Sequence, residues 1–514
     1  MESTPLLVGL DVGTTNIKAI AFDPAGQAVA QATVPTPTHY HPEPSRQGWA
    51  YYHPEELWET TARALRQVTA GLTEPGRVVG VAVASVGETG IPLDRAGRPT
   101  GEAIAWFDRR TTEQAAWLDA QIGWERLFAI SGLALQPIFG LCKVLWLRQH
   151  EPEAWARTAR WLNVADYIAY RLSGQMATDF SLASRTLALD LHRLRWATEL
   201  LAELGLPPDL FAPLTASGTP LGPVLPEVAA ATGLPSHAQV AVGGHDHVCG
   251  ALALGVTDPG TVLNSLGTAE AVFLPVTRPL TDPAFGQQGY SQGTHVDGRH
   301  YYALGGLYTS GASVEWFREA IADGAPYATL IQEAADVPPG SLGVCFLPHL
   351  RLANPPHLDP RSRGAFIGLS TEARRGVLFR ALLEGLSLEM RSTLEPLLGH
   401  AQATLQRVMA TGGGTRNELW IRIKAGVLDR PVHVVSVAES TALGAAVLAG
   451  MGAGVYADVA DALARLALTA TPVHPVPEEA RLYSRIYREV YSHVYETLRP
   501  LHHALDTIRS SRSS

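Results

Sequence analysis

Lysine is nearly absent from this chain of 514 residues, which has only Lys18, Lys143 and Lys424 although lysine and arginine together number 40. Arginine has taken over the ordinary basic positions. A lysine that survives such drift marks a place needing a compact ammonium on a thin stem, or is a leftover on the surface; for Lys424 both readings stay open. Cysteine is as scarce. Cys142, Cys249 and Cys345 lie far apart with no CxxC and no histidine-rich spacing, which argues against a disulfide framework or structural zinc and fits a reducing cytoplasm. No apolar run reaches the ~18 residues of a membrane span. Met1–Pro5 carries Glu2 and is unlike a signal peptide. Basic excess is missing too: a net charge of −9 speaks against a nucleic-acid partner.

What is present is ordinary globular composition, 46% hydrophobic and 17% charged, in a chain too long for one core. Two domains are expected. The most informative stretch is the first, Leu6-Leu7-Val8-Gly9-Leu10-Asp11-Val12-Gly13-Thr14-Thr15-Asn16-Ile17-Lys18-Ala19-Ile20. An apolar run ends in an acid, a Gly-Thr-Thr corner follows, and a second apolar run heads back. This predicts a β-hairpin whose tip offers N–H groups and hydroxyls beside a carboxylate, the donors phosphate oxygens require and an acid for a cation on those phosphates.

Strands are also expected at Val78–Ser85 and Glu102–Trp106, with helices at Pro54–Ala70, Thr111–Ala120, Lys143–His150 and Ala165–Leu172. Such alternation implies an α/β layered sheet. Further on, Val240–His247 reads as a strand running into a glycine corner, followed by a small-residue helix over Val248–Gly255. Thr261–Leu274 then repeats the opening design, with Gly267-Thr268 at its corner. Two such corners some 250 residues apart suggest a duplicated domain, each half giving one phosphate-facing hairpin to a shared cleft. Helices at Ala381–Met390, Glu418–Val427 and Ser440–Ala453 follow, and Gly412-Gly413-Gly414 joins a strand to the second of them. Three glycines there let a ligand approach the backbone closely. The stripe Tyr483, Tyr487, Tyr491, Tyr495 reads as a helix docking on the body.

Seven segments in this order resemble the FGGY carbohydrate kinases of the actin/hexokinase-like ATPase superfamily. They are Asp11–Thr15, Ala105–Thr111, Lys143–Leu147, Gly243–Asp246, Ser265–Thr268, Arg363–Leu369 and Gly412–Asn417, and the likeness runs from Gly9 to about Tyr495. It implies two ribonuclease-H-like domains with an interdomain cleft, residues 1–255 on the sugar side and 256–514 on the nucleotide side. It further implies ATP and Mg²⁺ as cofactors, with Asp11 and Asp246 near the metal. By similarity Gly13, Thr14, Thr15, Gly267, Thr268 and Gly311 face the phosphates, while Gly413, Gly414 and Asn417 flank the adenosine. Asp246 is then the general base, a role its place at a strand end after two glycines suits; capping the following helix is the bland alternative.

Glu88, Trp106, Asp108, His245 and Asp246 are the expected acceptor-side residues. Here Gly87-Glu88-Thr89 stands where xylulose kinases have Met-His-Gly and glycerol kinases Arg-Glu, so Glu88 matches the acid of the latter without their arginine. Ile138 at their tyrosine position makes glycerol itself a poor fit. His245 and His247 lack an evident third metal ligand and read as hydrogen-bonding or packing groups. Lys143 and Trp146 read as packing near the cleft. The expected activity is transfer of the γ-phosphate of ATP to a terminal hydroxyl of a ketose or polyol, in the cytoplasm, with a small-molecule substrate, no nucleic acid or membrane partner, and a homodimer as the candidate assembly. The alternative is a non-catalytic nucleotide or sugar sensor on the same fold.

Overall fold

The computed structural model describes residues 4–437 and 439–511. Its first sheet is built from β1 (Leu6–Val12), β2 (Asn16–Phe22), β3 (Ala28–Pro35), β4 (Val78–Ser85), β5 (Pro220–Pro223) and β6 (Gln239–His245), in the order β5-β6-β4-β1-β2-β3. β1, β2 and β3 form an antiparallel meander, while β4 and β6 run parallel to β1. The inner strands are buried almost throughout, as a sheet covered on both faces requires, whereas the edge strand β3 alternates exposed and buried positions toward its end.

The second sheet repeats the plan. Its strands are β7 (Thr261–Leu266), β8 (Glu270–Val276), β9 (Ser291–Thr294), β10 (Tyr301–Leu307), β11 (Arg407–Thr411), β12 (Val432–Val435) and β13 (Ala470–Val473), ordered β9-β10-β8-β7-β11-β12-β13. β7, β8 and β10 are again an antiparallel meander, and β11 and β12 again lie parallel to the first strand of the set. The duplication that two glycine-threonine corners hinted at is therefore visible as topology.

Among the helices, α1 (Pro54–Ala70) covers β2 and β3, and α2 (Gly140–His150) lies in the first half. α3 (Asp246–Ala253) follows β6 directly, and α4 (Gly311–Ala320) follows β10. α5 (Arg375–Ala401) runs far beyond the expected Ala381–Met390, because its flanking turns are amphipathic and still bury Phe379, Leu394 and Leu397. α6 (Glu418–Leu428), α7 (Ser440–Gly452) and the terminal α8 (Ser492–Ser510) complete the set. The tyrosine stripe is buried at all four positions, with a π-helical turn over Tyr487–Tyr491 ahead of α8. Of the expected strand Glu102–Trp106, only Ala103–Ile104 pairs.

α7 belongs to the second half of the chain but packs on β1, β4 and β6 of the first sheet and crosses α3. Contact is backbone to backbone. A Cβ on Gly9 of β1 would lie 1.8 Å from the Ala442 carbonyl oxygen, and one on Gly444 would lie 1.9 Å from that of Cys249. One apolar cluster thereby joins α3 and α7 to Leu7, Ala82 and Ala241 of the first sheet and to Leu263, Phe273 and Met409 of the second. All three cysteines are buried and unpaired, and among the described residues no helix is long and apolar enough to cross a membrane. Gly9→Ala should overpack this seam, costing about 1–3 kcal/mol; a lowered urea midpoint checks it, and an unchanged one would mean that α7 is free to lift.

Candidate active site

Register along the parallel strands gathers three acids. Asp11 of β1 lies opposite Ala84 of β4, and Val12 and His245 both lie opposite Ser85. Asp11 thus stands at the end of β1, Glu88 three residues past β4, and Asp246 directly after β6. Open α/β sheets place ligands at this carboxyl edge. The acids feel one another. Burial, then the charge of Asp246, holds the Asp11 carboxyl up at about 7 against an ordinary 3.8, with Lys18 opposing. Burial also raises Asp246, with Glu88 adding to the rise and His247 and Arg185 opposing it. Lys18 faces Asp11 across the hairpin and pairs with Glu439 at 2.6 Å.

Asp246 is the first residue of α3, one past the cap position held by His245, and its Oδ1 accepts from the adjacent His247 N–H at 2.6 Å. The N-terminal end of the helix dipole favours its charge. His245 Nε2 lies 3.3 Å from the same oxygen. Burial and then Arg185 push the His245 imidazole well below its usual range, so it is neutral, and its Nδ1 has no hydrogen-bond partner among the described residues.

Glu88 is buried and gripped by Arg185, whose Nε and Nη2 donate to Oε1 at 2.8 and 2.6 Å. Lys143, fully buried, holds the loop beneath: its ammonium donates to the carbonyls of Glu88 (2.7 Å), Ile104 (3.3 Å) and Ala105 (3.1 Å). That fixes Glu88 relative to Trp106, the next residue along. Trp106 is exposed, and its indole N–H donates to Thr14 Oγ1 at 2.8 Å, which links the acceptor side to the first corner. Asp108 departs from expectation. Its carboxylate takes the Ala50 N–H and three donors of Arg110, and it has no exposed surface, so it braces this loop instead of facing the cleft.

The second corner opens on a cavity of about 760 Å³ lined by Gly267, Thr268, Gly311, Gly413, Gly414 and Asn417, with Val314, Tyr327, Ile331 and Trp420 as an apolar wall. Six residues read from sequence thus share one pocket; Gly13, Thr14 and Thr15 are not among its lining. Gly311 is needed because the start of α4 lies on the corner: its N–H donates to the Gly267 carbonyl at 3.0 Å, and a Cβ would meet that oxygen at 2.5 Å. Asn417 spends Oδ1 on the Trp420 N–H as the cap of α6. Behind the corner, Glu270 is buried and saturated by Lys424 (2.5 Å), Asn264 (2.8 Å) and Ser310 (2.7 Å).

Two family models match the chain: the FGGY family of carbohydrate kinases, N-terminal domain, over residues 6–253, and the C-terminal domain over residues 262–453. A glycerol kinase of Rhodospirillum centenum is 33% identical over 90% of this chain and 92% of its own length. The chain belongs to the FGGY family of carbohydrate kinases. An L-fuculokinase of Escherichia coli is 31% identical over 91% of this chain and 96% of its own. A xylulose kinase of Bacillus subtilis is 28% identical over 98% and 99%. The crystal structure of xylulose kinase from Rhodospirillum rubrum superposes with a TM-score of 0.88 at 31% identity, over 97% of this chain and all of the other. This FGGY kinase is therefore a phosphotransferase with the two-domain fold that the resemblance implied, and kinases of this family use ATP.

Sequence reading missed Arg185 and the Lys424–Glu270 pair. Lysine scarcity was the one signal for the latter, and nothing local marked the former. Two outcomes are expected. Asp11 binds its proton more tightly folded than unfolded, so the ligand-free fold loses stability as pH rises from 3.8 to about 7. Asp11→Asn should accordingly melt above the parent at pH 8 and alongside it near pH 4, by calorimetry. Lys424→Met strands a buried carboxylate and should cost about 3–5 kcal/mol, partly recovered in Lys424→Met/Glu270→Gln; urea midpoints measure both.

Proposed function

We propose that this kinase transfers the γ-phosphate of ATP to a terminal hydroxyl of a ketose or polyol, with Asp246 as general base. The observation that carries this is that Asp246, directly after β6, shares the carboxyl edge of the first sheet with Asp11, beside the first corner, and with Glu88, past β4. A base on that edge has an acid of the phosphate side and an acid of the acceptor side as its companions. Phosphoryl transfer passes through a loose transition state, so the protein chiefly positions groups and neutralises charge. The acceptor hydroxyl must still surrender its proton. Burial raises Asp246 from its ordinary value, which makes it a stronger base.

On the phosphate side, Thr14 accepts the Trp106 N–H, which leaves its own hydroxyl hydrogen free to donate to an anionic oxygen. Thr15, and Thr268 of the second corner, would donate alongside it. The cavity at Gly413, Gly414 and Asn417 would take the adenosine, its apolar wall covering the base. Residues up to about 255 would serve the acceptor and those beyond it the nucleotide.

Mg²⁺ fits the facing carboxylates. Asp11 is held up partly by Asp246, a repulsion that a cation would relieve. Among the described residues no group of three His, Cys, Asp or Glu side chains could hold a metal ion, so Asp11 and Asp246 would hold it together with phosphate oxygens and water. Bound there, Mg²⁺ would neutralise charge on the phosphates.

Asp246→Asn should lower kcat about 10²–10⁴-fold with the KM for ATP little changed. Coupled ADP release with the best acceptor from a ketose and alditol panel measures it. A fully active variant would remove Asp246 from the chemistry.

A further inference from the structure

No motif contains Arg185, yet it is heavily engaged at the acceptor end. Besides the two donors it gives to Glu88 Oε1, its Nη1 donates to Ser291 Oγ at 2.6 Å, at the start of β9 in the second sheet. It therefore ties the acid after β4 to the other half of the chain. Both side chains of the ion pair are buried, 7% and 9% exposed, and the Phe139 ring covers the guanidinium at 5.2 Å.

Gly87 makes the room. A Cβ there would lie 2.8 Å from Arg185 Cγ and 2.8 Å from the His245 ring, and His245 touches Asp246 at 3.3 Å. Arg185, Glu88, His245 and Asp246 thus form one contiguous group. Within it, Glu88 Oε1 is committed, while Oε2 accepts from no described residue. The charge of Arg185 is already matched by Glu88. Lys143 is fully buried beneath the loop and spent on three carbonyls. Asp246 leaves the group net negative. A hydroxyl of an incoming acceptor finds an open carboxylate oxygen; a carboxylate finds no unpaired cation among these residues and a surplus of like charge.

We infer that Arg185 is a positioning residue that pins Glu88 with one oxygen free, and that this arrangement makes the kinase select neutral ketoses or polyols and reject aldonates. The inference rests on the reading of Asp246 and Glu88 as the acceptor end.

Steady-state kinetics of the full-length enzyme with matched ketoses, alditols and aldonates test it, varying acceptor and ATP in turn. The parent should use neutral acceptors at least about 100-fold more efficiently than the matching aldonates. Lysine keeps the charge but cannot fork, so Arg185→Lys should raise the acceptor KM about 10- to 100-fold and leave the KM for ATP within about twofold. Glu88→Gln should do likewise, and the double variant should be no worse than the poorer single one, because Arg185 acts through Glu88. Efficient aldonate phosphorylation by the parent, a measurement that needs no variant, overturns the inference. Additive losses, or an ATP KM that moves with the acceptor's, overturn it too. Turnover surviving Asp246→Asn overturns instead the reading on which the inference rests, and no turnover of any acceptor overturns both.

Discussion

Burial of three carboxylates close together at one edge of the first sheet is the constraint around which the first half of this chain is arranged. Strand register brings Asp11 and Asp246 to the sheet edge where α/β proteins place ligands, and Lys143 and Arg185 hold Glu88 beside them. Holding them there costs free energy, visible in Asp11 and Asp246, which burial raises first and the neighbouring acids raise further. Each acid has a neighbour that limits the cost. Lys18 faces Asp11, Arg185 forks onto Glu88, and the α3 N-terminus and the His247 N–H meet Asp246.

The second half answers with a different solution. Its corner presents no acid to the cavity; Glu270 is turned inward and neutralised by Lys424, Asn264 and Ser310. One corner therefore has a carboxylate beside it and the other offers glycine backbone and a hydroxyl to its cavity. Duplicated topology has been kept while the chemistry at the two tips has diverged. The tie between the lobes is equally asymmetric, since α7 crosses from the second half to lie on the first sheet.

How much of this could be read from residues alone follows from the range of the interactions. The hairpins at Gly13–Thr15 and Gly267–Thr268, the helix over Pro54–Ala70 and the strand over Val78–Ser85 depend on neighbours in sequence, and their periodicity marks them. Arg185 was invisible because its partner is Glu88, 97 residues away. Asp108 looked like a ligand because its motif does; only the fold shows that Arg110 and Ala50 already fill its oxygens. Lys143 reads from sequence as packing, yet it holds the carbonyls of Glu88 and Ala105, next to Trp106. Buried polar pairs need a partner that no local window contains.

The rarity of lysine has a practical side. Lys18 lies within β2, Lys143 within α2 and Lys424 within α6, and the last two have essentially no exposed surface. A protease that cuts only after lysine would find no target on any loop of the folded molecule. Digestion by such an enzyme would report the opening of whole elements, free of the background from fraying surface segments that arginine-directed cleavage would add.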